Sequence, residues 1–233
     1  MPTSTTRRRG ASGSGGKTRL DRESIIAAGL ELAAKASTSL SVRELGAHLG
    51  ADPTAIYRHF RNKDQLMQAL LDELTRRSVA AVTAGHDDWR NRLRQLAAAT
   101  LDEYSQHPSI GVEATVLTTH GTGELDAIEL MLESFTVAGL TGDDLVRHYA
   151  LLASHVLSSA AGIARARGER REHGITDDEP SPWFDGPLLA DPRRYPLITS
   201  INTRLLDLED RELFMLGVDA VIQSAERTVE AHA

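Results

Sequence analysis

The stretch that most limits what this chain can become runs from Ser41 to Lys63, SVRELGAHLGADPTAIYRHFRNK. It reads as two short helices joined by a tight turn, with each boundary marked chemically. Ser41 followed by Glu44 is a capping box, in which the hydroxyl and the carboxylate each satisfy a free backbone N–H. Val42, Leu45, Gly46 and Leu49 then share one helical face, and Gly50 can take the left-handed conformation that ends a helix. Asp52 before Pro53 is a second start signal, an acceptor side chain followed by a residue whose φ suits the first turn. Ile56 and Phe60 point this second helix, over residues 53–60, inward. Asn62 with Gln65 opens the next helix by the same capping logic.

Helices of about nine residues are marginal in water on their own, because nucleation is costly. Their purpose therefore lies in how they are held. Gly46 lets the pair approach closely, Gly50 makes the turn, and Ile56 anchors the second helix, which leaves Thr54, Ala55, Tyr57, Arg58 and His59 pointing outward. That is the helix-turn-helix arrangement, whose second helix enters the DNA major groove. A purely structural helical hairpin would also explain two helices. It would not explain why small, turn, cap and anchor residues all fall in register.

The run PTAIYRHFRNKDQL, preceded by SVRELG and a first helix, closely resembles the TetR family of bacterial transcriptional regulators. The specific part covers residues 20–75, with Tyr57, His59, Phe60, Lys63 and Leu66 at the family's signature spacing. The remainder resembles the family only in helical character and length. By this resemblance Tyr57, His59 and Lys63 match positions that contact the phosphate backbone. Ser41 and Arg43, at the start of the preceding helix, are expected to do the same. Thr54, Ala55 and Arg58 face the base edges. Arg58 can pair two donors with guanine or hold a phosphate, and Ala55 offers only apolar contact, for example to a thymine methyl.

Charge supports a DNA-binding end once it is divided along the chain. The 233 residues carry a net −7, which alone argues against a DNA binder. Residues 1–63 hold 11 Lys and Arg against 5 Asp and Glu, net +6, whereas residues 64–233 hold 15 against 28, net −13. A basic head on an acidic body fits phosphate contact at one end. Residues 1–19 are Ser, Thr, Gly and Arg without hydrophobic periodicity, and are expected to be a disordered basic arm. The arm either tracks phosphates or enters the minor groove, or is a solvated tail.

The absence of cysteine excludes disulfides, thiolate metal sites and thiol redox sensing. No apolar run approaches the roughly 20 residues of a membrane span. Arg7, Arg8 and Arg9 have no apolar segment behind them, so no secretory signal is read, and the protein is expected in the cytoplasm without membrane contact.

Residues 20–63 form the expected DNA-binding domain and residues 64–233 a helical body for effector binding and dimerisation. Helices are predicted from Asp21, over 63–84, 88–106, 109–119 and 123–138, from Thr141 (with a Thr141/Asp144 capping box) to Arg167, and from 207 almost to the end. Between the last two lies a break, 168–206, with five of the eight prolines, an acidic run and the pair Trp183-Phe184. Its end, 191–203, is predicted to form a short helix. No strand pattern of useful length appears, and aromatics are only 4%. All-α is the fold class.

No His-Glu-x-x-His, phosphate-cradling loop or nucleophile elbow is present, so no catalytic residue, metal ligand or cofactor is assigned. His148 and His155 share a face of one helix, as polar pocket groups, a solvated edge or part of a metal site with partners from other helices. Tyr104, Met131, Phe135 and Tyr149 read as core by spacing. The family resemblance implies a ligand cavity between these helices, and there Glu113, Leu117, His120, Leu152 and His155 join them as effector contacts. Trp183 with Phe184 is either part of a lid over that cavity or an idle loop pair.

The resemblance further implies a homodimer in which helices 141–167 and 207–230 of each subunit form a four-helix bundle. Ala160, Ala161, Gly162, Gly217 and Ala220 would allow close approach there. Two heads then meet successive major grooves about 34–36 Å apart on a palindromic operator. The function implied is a repressor released from double-stranded operator DNA by a small-molecule effector. The rivals are a helical carrier or enzyme with a vestigial head, and a non-sensing architectural DNA binder.

Overall fold

The computed structural model describes residues 20–35, 40–175, 181–183, 186 and 188–232. The N-terminal arm, Asp177–Glu179 and Phe184 lie outside the described residues. Within them the chain is all-α, as expected: ten α-helices and one 3₁₀ turn, with no strand beyond an isolated bridge between Pro182 and Glu209.

The head is α1 (Arg22–Ala33), α2 (Val42–His48) and α3 (Pro53–Ile56). Helix α1 starts at a reciprocal capping box: Ser24 N–H donates to Asp21 Oδ1 at 2.8 Å, and Asp21 N–H to Ser24 Oγ at 3.1 Å. Ile25, Leu45, Ile56 and Phe60 are buried together under it. Gly50 takes φ +61° to turn the chain. A Cβ at Gly46 would lie 2.9 Å from the Ala51 carbonyl oxygen, so only glycine allows this approach of α2 to the turn.

Two local predictions are corrected here. Ser41 stands at the N-cap of α2 but its hydroxyl makes no cap hydrogen bond; its carbonyl alone accepts from Leu45 N–H at 3.0 Å. The second helix is shorter than 53–60. After Ile56 the backbone tightens, with His59 N–H reaching Ile56 O at 2.9 Å, so Tyr57, Arg58 and His59 sit on turns.

Helix α4 (Lys63–Ala80) joins head to body. It ends before the predicted 84 because Gln95 Oε1 captures the N–H groups of Thr83 and Ala84, both at 2.9 Å. Helix α5 (Trp89–Gln106) follows the prediction. The predicted 109–119 helix instead divides into α6 (Pro108–Gly111), a 3₁₀ turn (Val112–Thr115) and a non-helical run through 120. Helix α7 spans Thr122–Val137.

Helix α8 (Gly142–Glu172) lacks the predicted Thr141 side-chain cap, and the Asp144 carboxylate, the other half of that box, turns to Arg147 at 3.3 Å. It also runs past Arg167, whose guanidinium is tied to Asp210 at 2.9 Å. Helix α9 (Pro196–Leu206) buries no residue, and α10 (Asp210–His232) closes the chain, starting later than predicted. The body core lies where α4, α5, α7 and α8 pack on one another, with α10 against α5 and α8. No helix among the described residues is long and apolar enough to cross a membrane.

Candidate nucleic-acid interface and effector cavity

The outer surface of the head is built by the α2–α3 unit. Arg43, Thr54, Tyr57, Arg58 and Lys63 are exposed there, and Ser41, Ala55 and His59 are half-buried. Tyr57 is 46% exposed, although a ring this size is normally covered, while its neighbour Phe60 is buried under the Arg22 guanidinium. Asp52 Oδ1 accepts from both Thr54 N–H (2.8 Å) and Thr54 Oγ1 (2.6 Å). These bonds, the hydroxyl's first, outweigh desolvation and hold the Asp52 carboxyl below its usual range, with Arg58 assisting. Thr54 therefore gives its proton inward, which leaves its methyl and an acceptor lone pair to face a ligand. Among the described residues the Arg58 side chain makes no hydrogen bond, and it interacts with Asp52 through charge alone. Lys63 begins α4 directly behind Asn62, whose side chain caps that helix by accepting Gln65 N–H at 2.8 Å.

In the body, α4, α5, α7 and α8 enclose a cavity of about 110 Å³. Leu71 and Thr75 of α4 form one wall. Of the predicted effector contacts, Tyr104, Leu117, Met131, Tyr149 and Leu152 line it together. Burial raises the Tyr104 phenol above its usual range against a pull from Thr75. Burial first, then the Glu124 charge, does the same for Tyr149, so both rings keep their protons.

The other predicted contacts lie elsewhere. Phe135 is fully buried between Trp89 and His148. Glu113 sits in the 3₁₀ turn, and His120, at φ +52°, is exposed. His155 and Trp183 line a separate recess of about 320 Å³ between α8, α10 and residues 181–183, to which α4 contributes nothing. Trp183 is 52% exposed. His155 is half-buried and held by packing: its Nε2–H donates to the Phe214 carbonyl at 2.9 Å and the ring stacks on Phe214. His148 is held between Asp144 O and Ser224.

A polar corner of the cavity had no counterpart in the sequence prediction. Helix α7 starts at Gly121, which has no side chain to cap it. Its cap comes from α4: Asp72 accepts from Glu124 N–H (3.0 Å), Gly123 N–H (3.3 Å) and Thr119 Oγ1 (2.9 Å). A Cβ at Gly123 would strike the Asp72 backbone, so the two helices meet as closely as glycine permits. Thr119 and Glu124 both line the cavity. The available signal was a helix start flanked by two glycines, which demands a cap from somewhere else.

A helix-turn-helix head, joined by one helix to a cavity-bearing helical body, defines a DNA-binding regulator. Residues 25–70 match the bacterial regulatory proteins of the tetR family, and residues 83–227 match the tetracyclin repressor-like C-terminal domain. The chain is 26% identical over 220 residues to the HTH-type transcriptional repressor DrrR1 of Streptomyces coeruleorubidus, covering 91% of this chain and 79% of that one. It is 29% identical over 221 residues to the HTH-type transcriptional repressor Rv1353c of Mycobacterium tuberculosis, covering 91% and 82%. A solved structure of a putative transcriptional regulator from Streptomyces coelicolor superposes with a TM-score of 0.73 at 26% identity, over 90% of this chain and 98% of that one. The chain belongs to the TetR family of bacterial transcriptional regulators.

Proposed function

We propose that this TetR-family regulator is a cytoplasmic homodimeric repressor, displaced from a palindromic operator when a small molecule occupies the α4–α5–α7–α8 cavity. The observation that carries this is α4 itself. Its first residue, Lys63, adjoins the outward residues of the head, Leu66 and Leu70 pack in the core shared with α1, and Leu71 and Thr75 wall the cavity. A change of its tilt on effector binding moves the head relative to the body. Effector and DNA affinities are then coupled reciprocally, typically by about 1–3 kcal/mol. Both relatives named above are described as repressors, which favours repression over activation.

On this reading residues 20–63 are the DNA-binding unit and residues 64–233 bind effector and partner. Ser41, Arg43, Tyr57, His59 and Lys63 hold phosphates, and Thr54, Ala55 and Arg58 meet base edges. The free hydroxyl of Ser41 suits that role. The dimer surface is the outer face of α8 and α10, where Leu151 and Leu216 are 53% and 54% exposed. Of the small residues expected to serve that contact, Ala160 and Ala161 are buried within the subunit, and a Cβ at Gly217 would strike the His155 ring. Gly162 and Ala220 are exposed and remain available. A head with a packed core, and with α1 and α3 capped by Asp21 and Asp52, argues against a vestigial one.

Footprinting on the DNA flanking the protein's own gene tests this. Two protected half-sites with approximate two-fold symmetry are expected. Uniform coating, or no protection, would overturn it.

A further inference from the structure

The chemistry of the cavity restricts what can occupy it. Among the described residues lining it there is no Lys, Arg or His, and the one charged group is Glu124. Glu124 Oε2 accepts from His120 N–H (2.6 Å) and lies 2.9 Å from Thr119 Oγ1. Thr119 Oγ1 is equally 2.9 Å from Asp72 Oδ1, and accepts Gly121 N–H at 3.2 Å. A hydroxyl has one proton to give. Two carboxylates thus compete for it, and Asp72 also holds two backbone N–H groups of α7. Glu124 is the carboxylate left short: its Oε1 has no donor among the described residues.

An acid entering this space would bring a second negative charge beside Glu124 with no cation to pair it, in surroundings that screen charge poorly. A hydroxyl or ammonium would meet the under-supplied carboxylate instead. The rest of the wall, with Leu93, Leu96, Met131 and Leu152, asks for apolar surface. The volume of about 110 Å³ is on the scale of the cavity of about 150 Å³ that takes a benzene ring.

We propose that the effector is an apolar molecule bearing a hydroxyl or ammonium donor, not an anion, and that Glu124 is the specificity-determining residue that accepts from it. This rests on the cavity being the effector site, as proposed above.

Four near-isosteric probes test it on the full-length protein: toluene, benzyl alcohol, benzylammonium and benzoate, with dissociation constants from NMR titration. Benzylammonium and benzyl alcohol should bind at least about tenfold more tightly than benzoate, as one hydrogen bond to a charged group warrants. Glu124→Gln should shrink the preference for benzylammonium over benzoate several-fold. Thr119→Val, which removes a donor from Glu124, should widen it. General damage to the cavity would weaken all four probes alike and cannot widen a ratio. Benzoate binding as tightly as benzylammonium would overturn the proposal while leaving the cavity as effector site. Binding of none of the four would overturn both, and the footprint would still report on DNA binding separately.

Discussion

Replacing Asp72 with Ala removes a helix cap that is supplied across the fold. Two backbone donors lose their acceptor at once, Glu124 N–H at 3.0 Å and Gly123 N–H at 3.3 Å, while the Thr119 hydroxyl, 2.9 Å from Asp72, keeps Glu124 as its acceptor. Loss of a cap side chain costs typically about 1 kcal/mol, and up to about 2. The carboxylate also sits at the positive end of α7, a contact worth about 0.3–1 kcal/mol. These contributions overlap, because part of the cap energy is the charge–dipole attraction. Gly123 is buried and Glu124 half-buried, so water replaces the lost acceptor only in part. The expected loss is about 2 kcal/mol, which for a chain of this size lowers Tm by about 4–8 °C. Asp72→Asn keeps one acceptor oxygen and should lose about half as much. Calorimetry at fixed protein concentration measures it, since a dimer's Tm depends on concentration. Glu129→Ala, an exposed change on α7 itself, is the control and should stay within about 0.5 kcal/mol. If Asp72→Ala melted with that control, Asp72 would not be capping α7, and the described link between α4 and the cavity would fail.

Three further outcomes are expected. Lys63→Ala should weaken binding to all DNA sequences alike and lower the log–log salt slope by about 0.9, whereas Arg58→Ala should relax preference at one base pair by roughly 1–3 kcal/mol if that side chain reads a base; anisotropy across a salt series separates the two. Gly46→Ala should cost about 1–3 kcal/mol in denaturant unfolding, because the new methyl meets the rigid Ala51 carbonyl rather than a side-chain end. Burial first raises the Glu103 carboxyl above 4.5, with His107, whose Nδ1 lies 3.6 Å from Glu103 Oε2, pulling it back; among the described residues that oxygen accepts no hydrogen bond. A raised folded pKa gives stability that is complete below 4.5 and lost as pH rises through the folded value. Wild type should therefore gain on Glu103→Gln as pH falls from 7 toward 4.5, measured by urea midpoints.

What was legible in the sequence follows from the range of the interactions concerned. The head could be read because its boundaries are set locally: Asp21 with Ser24, Asp52 with Thr54, and Asn62 with Gln65 all bond within three residues. Even there, Ser41 had the right identity without the bond. The body's boundaries moved wherever a distant group decided them. Gln95 ends α4, Arg167 and Asp210 pair across 43 residues beside the extra turn of α8, and Asp72 caps α7 across 52. Hydrophobic periodicity placed Tyr104, Met131 and Tyr149 on inward faces, and the fold gathers them around one cavity. It gave the same label to Phe135, which the fold uses to pack Trp89 on His148. Periodicity reports that a side chain faces inward, not whether a neighbour fills the space. Asp72, Thr119 and Glu124 escaped notice because none forms a pattern within one helix.

Whether two heads bind a specific operator is tested most directly by fluorescence anisotropy on a duplex obtained by in vitro selection, against a scrambled duplex of equal length and composition. At physiological salt the selected, two-fold symmetric site should bind about 10³-fold or more tightly, and inserting about half a helical turn between its half-sites should abolish most of that difference. Equal affinity for the two duplexes, or indifference to the insertion, would contradict the account.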